Sequence, residues 1–394
     1  MPSTPAIATT VLGSSRLLAS GRLRGKRVGI VANPASIDQD FVHVVDRITQ
    51  AQGVTLGAIF GPQHGFNADL QENMIETPHG ESAAHRVKVY SLYSETREPT
   101  REMLDGLDVL VVDLQDVGTR IYTFIYTMAY CLTGAAKAGI PVIVCDRPNP
   151  IGGLGVEGPM LVPGFESFVG LYPIPMRHGL TIGELARLFN ETFSLGADLT
   201  VEPMSGWSRG AFWDETGVPW VLPSPNMPTL DTAIVYPGQV LFEGTLLSEA
   251  RGTTRPFELC GAPGLDPTVL AAKLNGYRLP GVVFRPVSFE PTFHKHAKTL
   301  CHGVQLHVTD RRTFESVLAT TAVLHEMRQM NPAEFAWRPP PYEYEHTLLP
   351  IDILAGNATY REDIERGEDP KRMAESWKPA VAEFERLRQQ YRLY

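Results

Sequence analysis

The chain has 394 residues, 43% hydrophobic and 20% charged, with 35 lysines and arginines against 44 aspartates and glutamates. Such a length exceeds one ordinary core, so two domains are expected. The formal net charge of −9 excludes an extended basic face of the kind that binds nucleic acid.

The N-terminal stretch MPSTPAIATTVLGSSRLLASGRLRGKR has no basic region followed by a clean apolar run, and no segment is apolar for the ~18 residues of a membrane span. A cytoplasmic location with no membrane partner is therefore expected. Residues 26–32 (KRVGIVA) form a β-branched run ending at Asn33-Pro34. Phe41, Val44, Val45 and Ile48 then recur at helical spacing. Strands are predicted at 54–60, 87–93, 108–114 and 141–147, with a helix at about 122–137 stopped by Gly139. The strands are continuously apolar, which suits a parallel sheet covered on both faces. Strand–helix alternation of this kind predicts a Rossmann-like, doubly wound α/β domain.

A Gly/Pro-rich loop follows, and Thr181 with Glu184 then forms a capping box before a helix. Residues 199–204 read as a strand. Trp207, Trp213 and Trp220 offer either core or stacking faces for a sugar. Residues 236–263 show no clear period but are dense in Glu, Arg, Thr and Gly. GVVFRPVSF and GVQLHVTD read as strands, FESVLATTAVLHEMRQM as a helix, and a last helix covers about 371–390. The expected division is an N-terminal domain over 1–232 and a smaller α/β (α+β) C-terminal domain over 233–394 closing a cleft. Cys131, Cys145, Cys260 and Cys301 lie far apart with no CxxC pair and read as reduced, structural thiols.

Ligands of open α/β sheets bind beyond the carboxyl ends of the strands. Polar residues gather there: Asn33, Gln63-His64, Gln115-Asp116 and Asp146-Arg147. Each also has a local reading, Asp116 as a helix N-cap and Asp146 and Arg147 as braces of the following turn. The loop after the first strand is NPAS rather than GxGxxG, and the chain has no Walker A, GxSxG or HExxH motif. His294 and His296 alternate as HKH without an evident further ligand, so no metal is expected. The other dense polar stretch, 241–258, holds Glu243 and Glu249 as candidate acids and Arg251 and Arg255 as candidate carboxylate clamps.

The strings GPQHGF, DLQDVGTRIYTF, DRPNPIGG, PIPMRHGLTIGELA, PSPNMPT, YPGQVLFEGT and SEARGTTRPFELCGAP occur in this order. Together they closely resemble the NamZ family of exo-β-N-acetylmuramidases, over nearly all of residues 27–394. The resemblance implies a glycosidase that frees N-acetylmuramic acid from the non-reducing end of peptidoglycan fragments, with a small saccharide as partner and no cofactor. It implies carboxyl groups flanking the scissile bond, with Asp116 facing Glu243 or Glu249, and an arginine (Arg120, Arg251 or Arg255) for the lactyl carboxylate. His64 is read as catalytic, and His178 and Asn226 join the substrate-binding candidates. One position departs from the pattern: many members read PEHG where this chain has Gln63. An amide keeps the shape but cannot transfer a proton as a carboxyl does. Three outcomes stay open: another carboxyl does the work; this branch acts on a different glycan or by another route, as another hydrolase or transferase in the same cleft; or the protein binds sugar without cleaving it.

Overall fold

The computed structural model describes residues 9–71, 74–332 and 335–394. The first strands are β1 (Arg27–Ala32), β2 (Thr55–Gly61), β3 (Gly80–Ser82), β4 (Val87–Ser91), β5 (Val109–Asp113) and β6 (Val142–Cys145). Then come the short antiparallel pair β7 (Glu157–Met160) and β8 (Pro175–Arg177), followed by β9 (Leu199–Glu202). Seven of these make one sheet in the order β3-β4-β2-β1-β5-β6-β9. It is parallel except where β3 pairs with β4. Apolar side chains alternate between two faces, so β1 feeds both cores: Val28 and Ile30 go to one cluster and Val31 to the other. That is why the strands read as unbroken apolar runs.

The helix Phe124–Ala138 is buried along most of its length and ends where Gly139 turns left-handed at φ 71°. The helix Ile182–Thr192 starts in the expected capping box, Thr181 accepting from the Glu184 amide and Glu184 from the Thr181 amide. The later strands are β10 (Leu259–Ala262), β11 (Val282–Phe289) and β12 (Cys301–Val308). They form a separate antiparallel sheet in the order β10-β12-β11. Helices Pro267–Gly276 and Ser316–Met330 pack against this region, and Pro370–Arg388 against β7. The expected division at residue 233 falls inside the helix Leu230–Gln239. One apolar cluster runs without interruption from Val31 to Tyr391. Among the described residues no helix is long and apolar enough to cross a membrane.

Candidate active site

The chain reverses sharply after β2. A Cβ on Gly61 would lie 2.6 Å from the Phe66 amide nitrogen, and His64 and Gly65 take φ of 72° and 81°. This turn presents Gln63 and His64 at one wall of a cavity. The loop after β5 adds Tyr122 and Thr123. Segment 224–227 adds Ser224 and Asn226, and the helix Leu230–Gln239 adds Tyr236. Glu243 comes from the 3-10 turn Val240–Gly244 and Arg251 from the loop after it; Tyr342 and Glu343 close the far side. Every lining residue except half-buried His64 is buried.

Its electrostatics divide two carboxyls. Glu243 is gripped at both oxygens, Oε1 accepting from Arg251 Nη2 at 2.6 Å and Oε2 from the Tyr342 hydroxyl at 2.6 Å. Glu343 Oε1 accepts from Gln63 Nε2 at 3.2 Å, and its Oε2 accepts from the Tyr93 hydroxyl at 2.8 Å. Burial pushes the Glu343 carboxyl up to about 7, helped by the nearby Glu243 charge and opposed by those two hydrogen bonds. Glu343 is thus poised to hold or release a proton near neutral pH, which is the property of a general acid.

Burial also lowers the His64 imidazole to about 4, and the Arg251 charge adds to this, so the ring is neutral at pH 7. Its Nδ1 lies 2.8 Å from the Leu70 carbonyl, which can only accept. The proton therefore sits on Nδ1, and Nε2 is left as an acceptor. Gln63 is fixed at both ends of its amide, since Oε1 accepts from Thr123 Oγ1 at 2.8 Å.

Behind Arg251 stands a buried charged cluster. Lys295 Nζ donates to Glu249 at 2.8 Å and to the carbonyls of Phe242 and Leu247. Burial alone would raise the Glu249 carboxyl, but Lys295, His294 and Arg251 outweigh it and hold it at about 2. Glu249 is fully buried and does not line the cavity. It fixes Arg251, which in turn fixes Glu243.

Of the residues singled out from sequence, Gln63, His64, Asn226, Glu243 and Arg251 are brought together in the cavity walls. The others lie elsewhere. Asp116 Oδ2 caps the turn at the Gly118 amide, 2.7 Å away, with His178 Nε2 at 3.3 Å. Arg147 spans Asp113, Gln115 and the carbonyls of Ala35 and Ile37. Asn33 bonds Ser36 and the Gln115 carbonyl. Asp146 accepts from Thr181, Gly183 and the Tyr394 hydroxyl. The crevice between β1 and β5, where such sheets usually bind ligands, is therefore filled by the protein's own hydrogen bonds. Arg120 is wholly buried and donates to the carbonyls of Pro159, Ile174 and Leu354. Arg255 pairs with Glu258 at a different surface pocket.

Trp213 stacks edgewise on Trp220 and Trp207 on Tyr394, all outside the cavity. His296 bonds the Leu246 carbonyl, and no group of three or more metal-ligating side chains is gathered among the described residues. Sequence reasoning missed Tyr93, Tyr236, Tyr342 and above all Glu343. The one available signal was the alternation Tyr342-Glu343-Tyr344-Glu345 after three prolines, because aromatic–carboxylate alternation in a loop has no packing rationale of its own.

Two family models match in tandem. The one for the N-terminal part of exo-β-N-acetylmuramidase NamZ matches residues 28–231, and the one for its C-terminal part matches residues 234–394. A Bacillus subtilis (strain 168) protein, the peptidoglycan β-N-acetylmuramidase NamZ, is 48% identical over 378 residues, covering 95% of this chain and 88% of that relative. Two crystal structures of DUF1343 family proteins from Bacteroides fragilis NCTC 9343 share the fold. One has a TM-score of 0.90 at 33% identity, covering 99% of this chain and 100% of the other. The second has a TM-score of 0.77 at 26% identity, covering 98% and 99%.

Proposed function

The chain belongs to the NamZ family of exo-β-N-acetylmuramidases, and we propose that the cavity lined by Glu243 and Glu343 carries out that family's reaction, the hydrolytic release of N-acetylmuramic acid from the non-reducing end of peptidoglycan fragments.

The observation that carries the role assignment is the Glu243–Glu343 pair, two buried carboxyls in one cavity whose surroundings set them apart. Glu343 is the general acid. Its proton passes to the glycosidic oxygen as the bond from C1 to that oxygen breaks, and the leaving sugar departs as an alcohol. Glu243, held by Arg251 and Tyr342, is the charge facing the oxocarbenium-like centre. Water finally supplies hydroxyl to C1, and its proton restores Glu343. Gln63 positions Glu343 in this scheme and has no proton to give.

His64 Nε2 accepts from a sugar hydroxyl. Arg251 is the guanidinium among the lining residues, and there it balances the Glu243 carboxylate. The lactyl carboxylate thus meets a neutral lining with Arg251 as its cation. A reducing, cytoplasmic compartment belongs to the same reading, supported by four free and buried cysteines. The deciding experiment is release of N-acetylmuramic acid from N-acetylmuramyl-β-1,4-N-acetylglucosamine by the purified protein, with Glu243→Gln and Glu343→Gln beside it. Saturable binding without turnover by the wild type would reject the hydrolase.

A further inference from the structure

The loop between β11 and β12 carries the run His294-Lys295-His296, which lies outside the cavity walls. His294, His296 and Lys298 take φ of 69°, 56° and 61°, so every second residue is left-handed. Such backbone costs free energy and persists where the surroundings demand it. Here the loop is pinned from both sides. Thr292 donates to the Gly252 carbonyl from its amide and its hydroxyl, and the Lys298 amide donates to the Pro291 carbonyl. Lys295 is thereby brought to Glu249 Oε2 at 2.8 Å, and His296 Nε2 to the Leu246 carbonyl at 2.8 Å.

His294 turns to the other oxygen of Glu249. Its Nδ1 lies 3.3 Å from Oε1, and Arg251 Nε lies 3.4 Å from the same oxygen. All three atoms are buried, and none of them closes a hydrogen bond. Buried polar atoms are almost always paired, so unpaired ones call for a reason. The His294 side chain keeps 17% of its surface exposed, which gives the ring a path to solvent protons. The charged groups facing it are Glu249, Arg251, Lys295 and Glu243. Burial holds the imidazole below its ordinary value, aided by Arg251 and Lys295 and opposed by the two glutamates.

From this arrangement we infer that His294 is a positioning residue, whose protonation releases Arg251 from Glu249 to the anionic group of the substrate. The inference rests on the muramidase reading above, in which Arg251 meets the lactyl carboxylate. With His294 neutral, Arg251 divides its charge between Glu243 and Glu249. A proton taken from solvent makes the imidazolium, which donates from Nδ1 to Glu249 Oε1 in a charge-assisted bond, shorter and stronger than a neutral one. Lys295 already holds Oε2. Glu249 then has two cations of its own, and the new charge repels the guanidinium toward the cavity. The coupling is reciprocal: an anion bound at Arg251 must strengthen the hold of His294 on its proton.

The test is NMR of the His294 imidazole, its signal assigned by its loss in His294→Asn. Asparagine accepts left-handed backbone, so the loop is kept. In the wild type the His294 titration should move up by about half a pH unit on saturation with N-acetylmuramic acid. It should not move with N-acetylglucosamine, which lacks the lactyl carboxylate. By calorimetry, the ratio of the variant's Kd for N-acetylmuramic acid to that of the wild type should grow about threefold from pH 8 to pH 4.5. A purely structural role would weaken binding equally at both pH values. An unmoved His294 titration, or a ratio that does not change with pH, overturns the inference. A wild type that shows the coupled shift yet releases no N-acetylmuramic acid from the disaccharide overturns the muramidase reading alone.

Discussion

Gln63 donates from Nε2 to Glu343 Oε1 over 3.2 Å, joining residues 280 positions apart in the chain. A glutamate at position 63 would meet Glu343 carboxyl to carboxyl and share one proton with it. The amide is a permanent donor in place of that protonated partner. It leaves Glu343 as the acid on its own.

Glu343→Gln should lower kcat by about 10²–10⁴-fold with little change in KM, the usual cost of losing a general acid. Because the proton of Glu343 is needed, and burial places its loss at about 7, wild-type activity should fall as pH rises through that value. Initial rates on the disaccharide from pH 5 to 9 check both points. A variant retaining wild-type kcat would exclude Glu343 as the acid.

Gln63→Glu places a second carboxyl against Glu343, and two adjacent carboxyls resist losing both protons. The alkaline limb of the pH–rate profile should therefore move to higher pH. If activity also rises, the amide is what holds back proton transfer at this position. An unchanged limb would mean that the two side chains do not communicate.

Arg251→Met should leave Glu243 and Glu249 buried beside each other without the cation between them. Removing one partner of a buried ion pair typically costs about 3–5 kcal/mol. Urea denaturation should show a loss of that order along with loss of activity. A loss below about 1 kcal/mol would mean that Lys295 and the Tyr342 hydroxyl suffice to hold the two glutamates.

Asp146 tests the filled crevice by its pH dependence. Burial, with Glu184 nearby, raises its carboxyl from the ordinary 3.8 to about 7. A group raised in the fold contributes stability that is complete below its unfolded value and is lost as pH rises through the folded one. Asp146 should therefore make the protein less stable at pH 8 than at pH 5. Asp146→Asn should cost less stability at pH 8 than at pH 5, as read by thermal unfolding at the two values. Glu249 acts in a separate window with the opposite sign. Held at about 2 against an ordinary 4.5, it contributes stability above the ordinary value that is lost as pH falls toward the held one.

Local chemistry alone determined much of this protein. Apolar runs predicted β1, β2, β4, β5, β6 and β9, the Thr181–Glu184 box marked a helix start, and Gly139 marked a helix end. These features depend on neighbours in the chain, so they are legible there. The long irregular motifs likewise carried the family resemblance, and with it the expected reaction. The use of the polar strand ends was decided only in three dimensions. Asn33, Gln115, Asp146 and Arg147 look like a ligand site in the sequence, yet each finds its partners within the protein. A buried polar group left without a partner is costly, and whether partners arrive from 30 or 200 residues away is a matter of tertiary packing. The same holds for Glu343. The alternation in the PPPYEYEH segment points to a site but not to which carboxyl serves as an acid. Glu343 becomes one because folding buries it near the Glu243 charge, where losing its proton is hard, and the hydrogen bonds from Tyr93 and Gln63 offset this only in part.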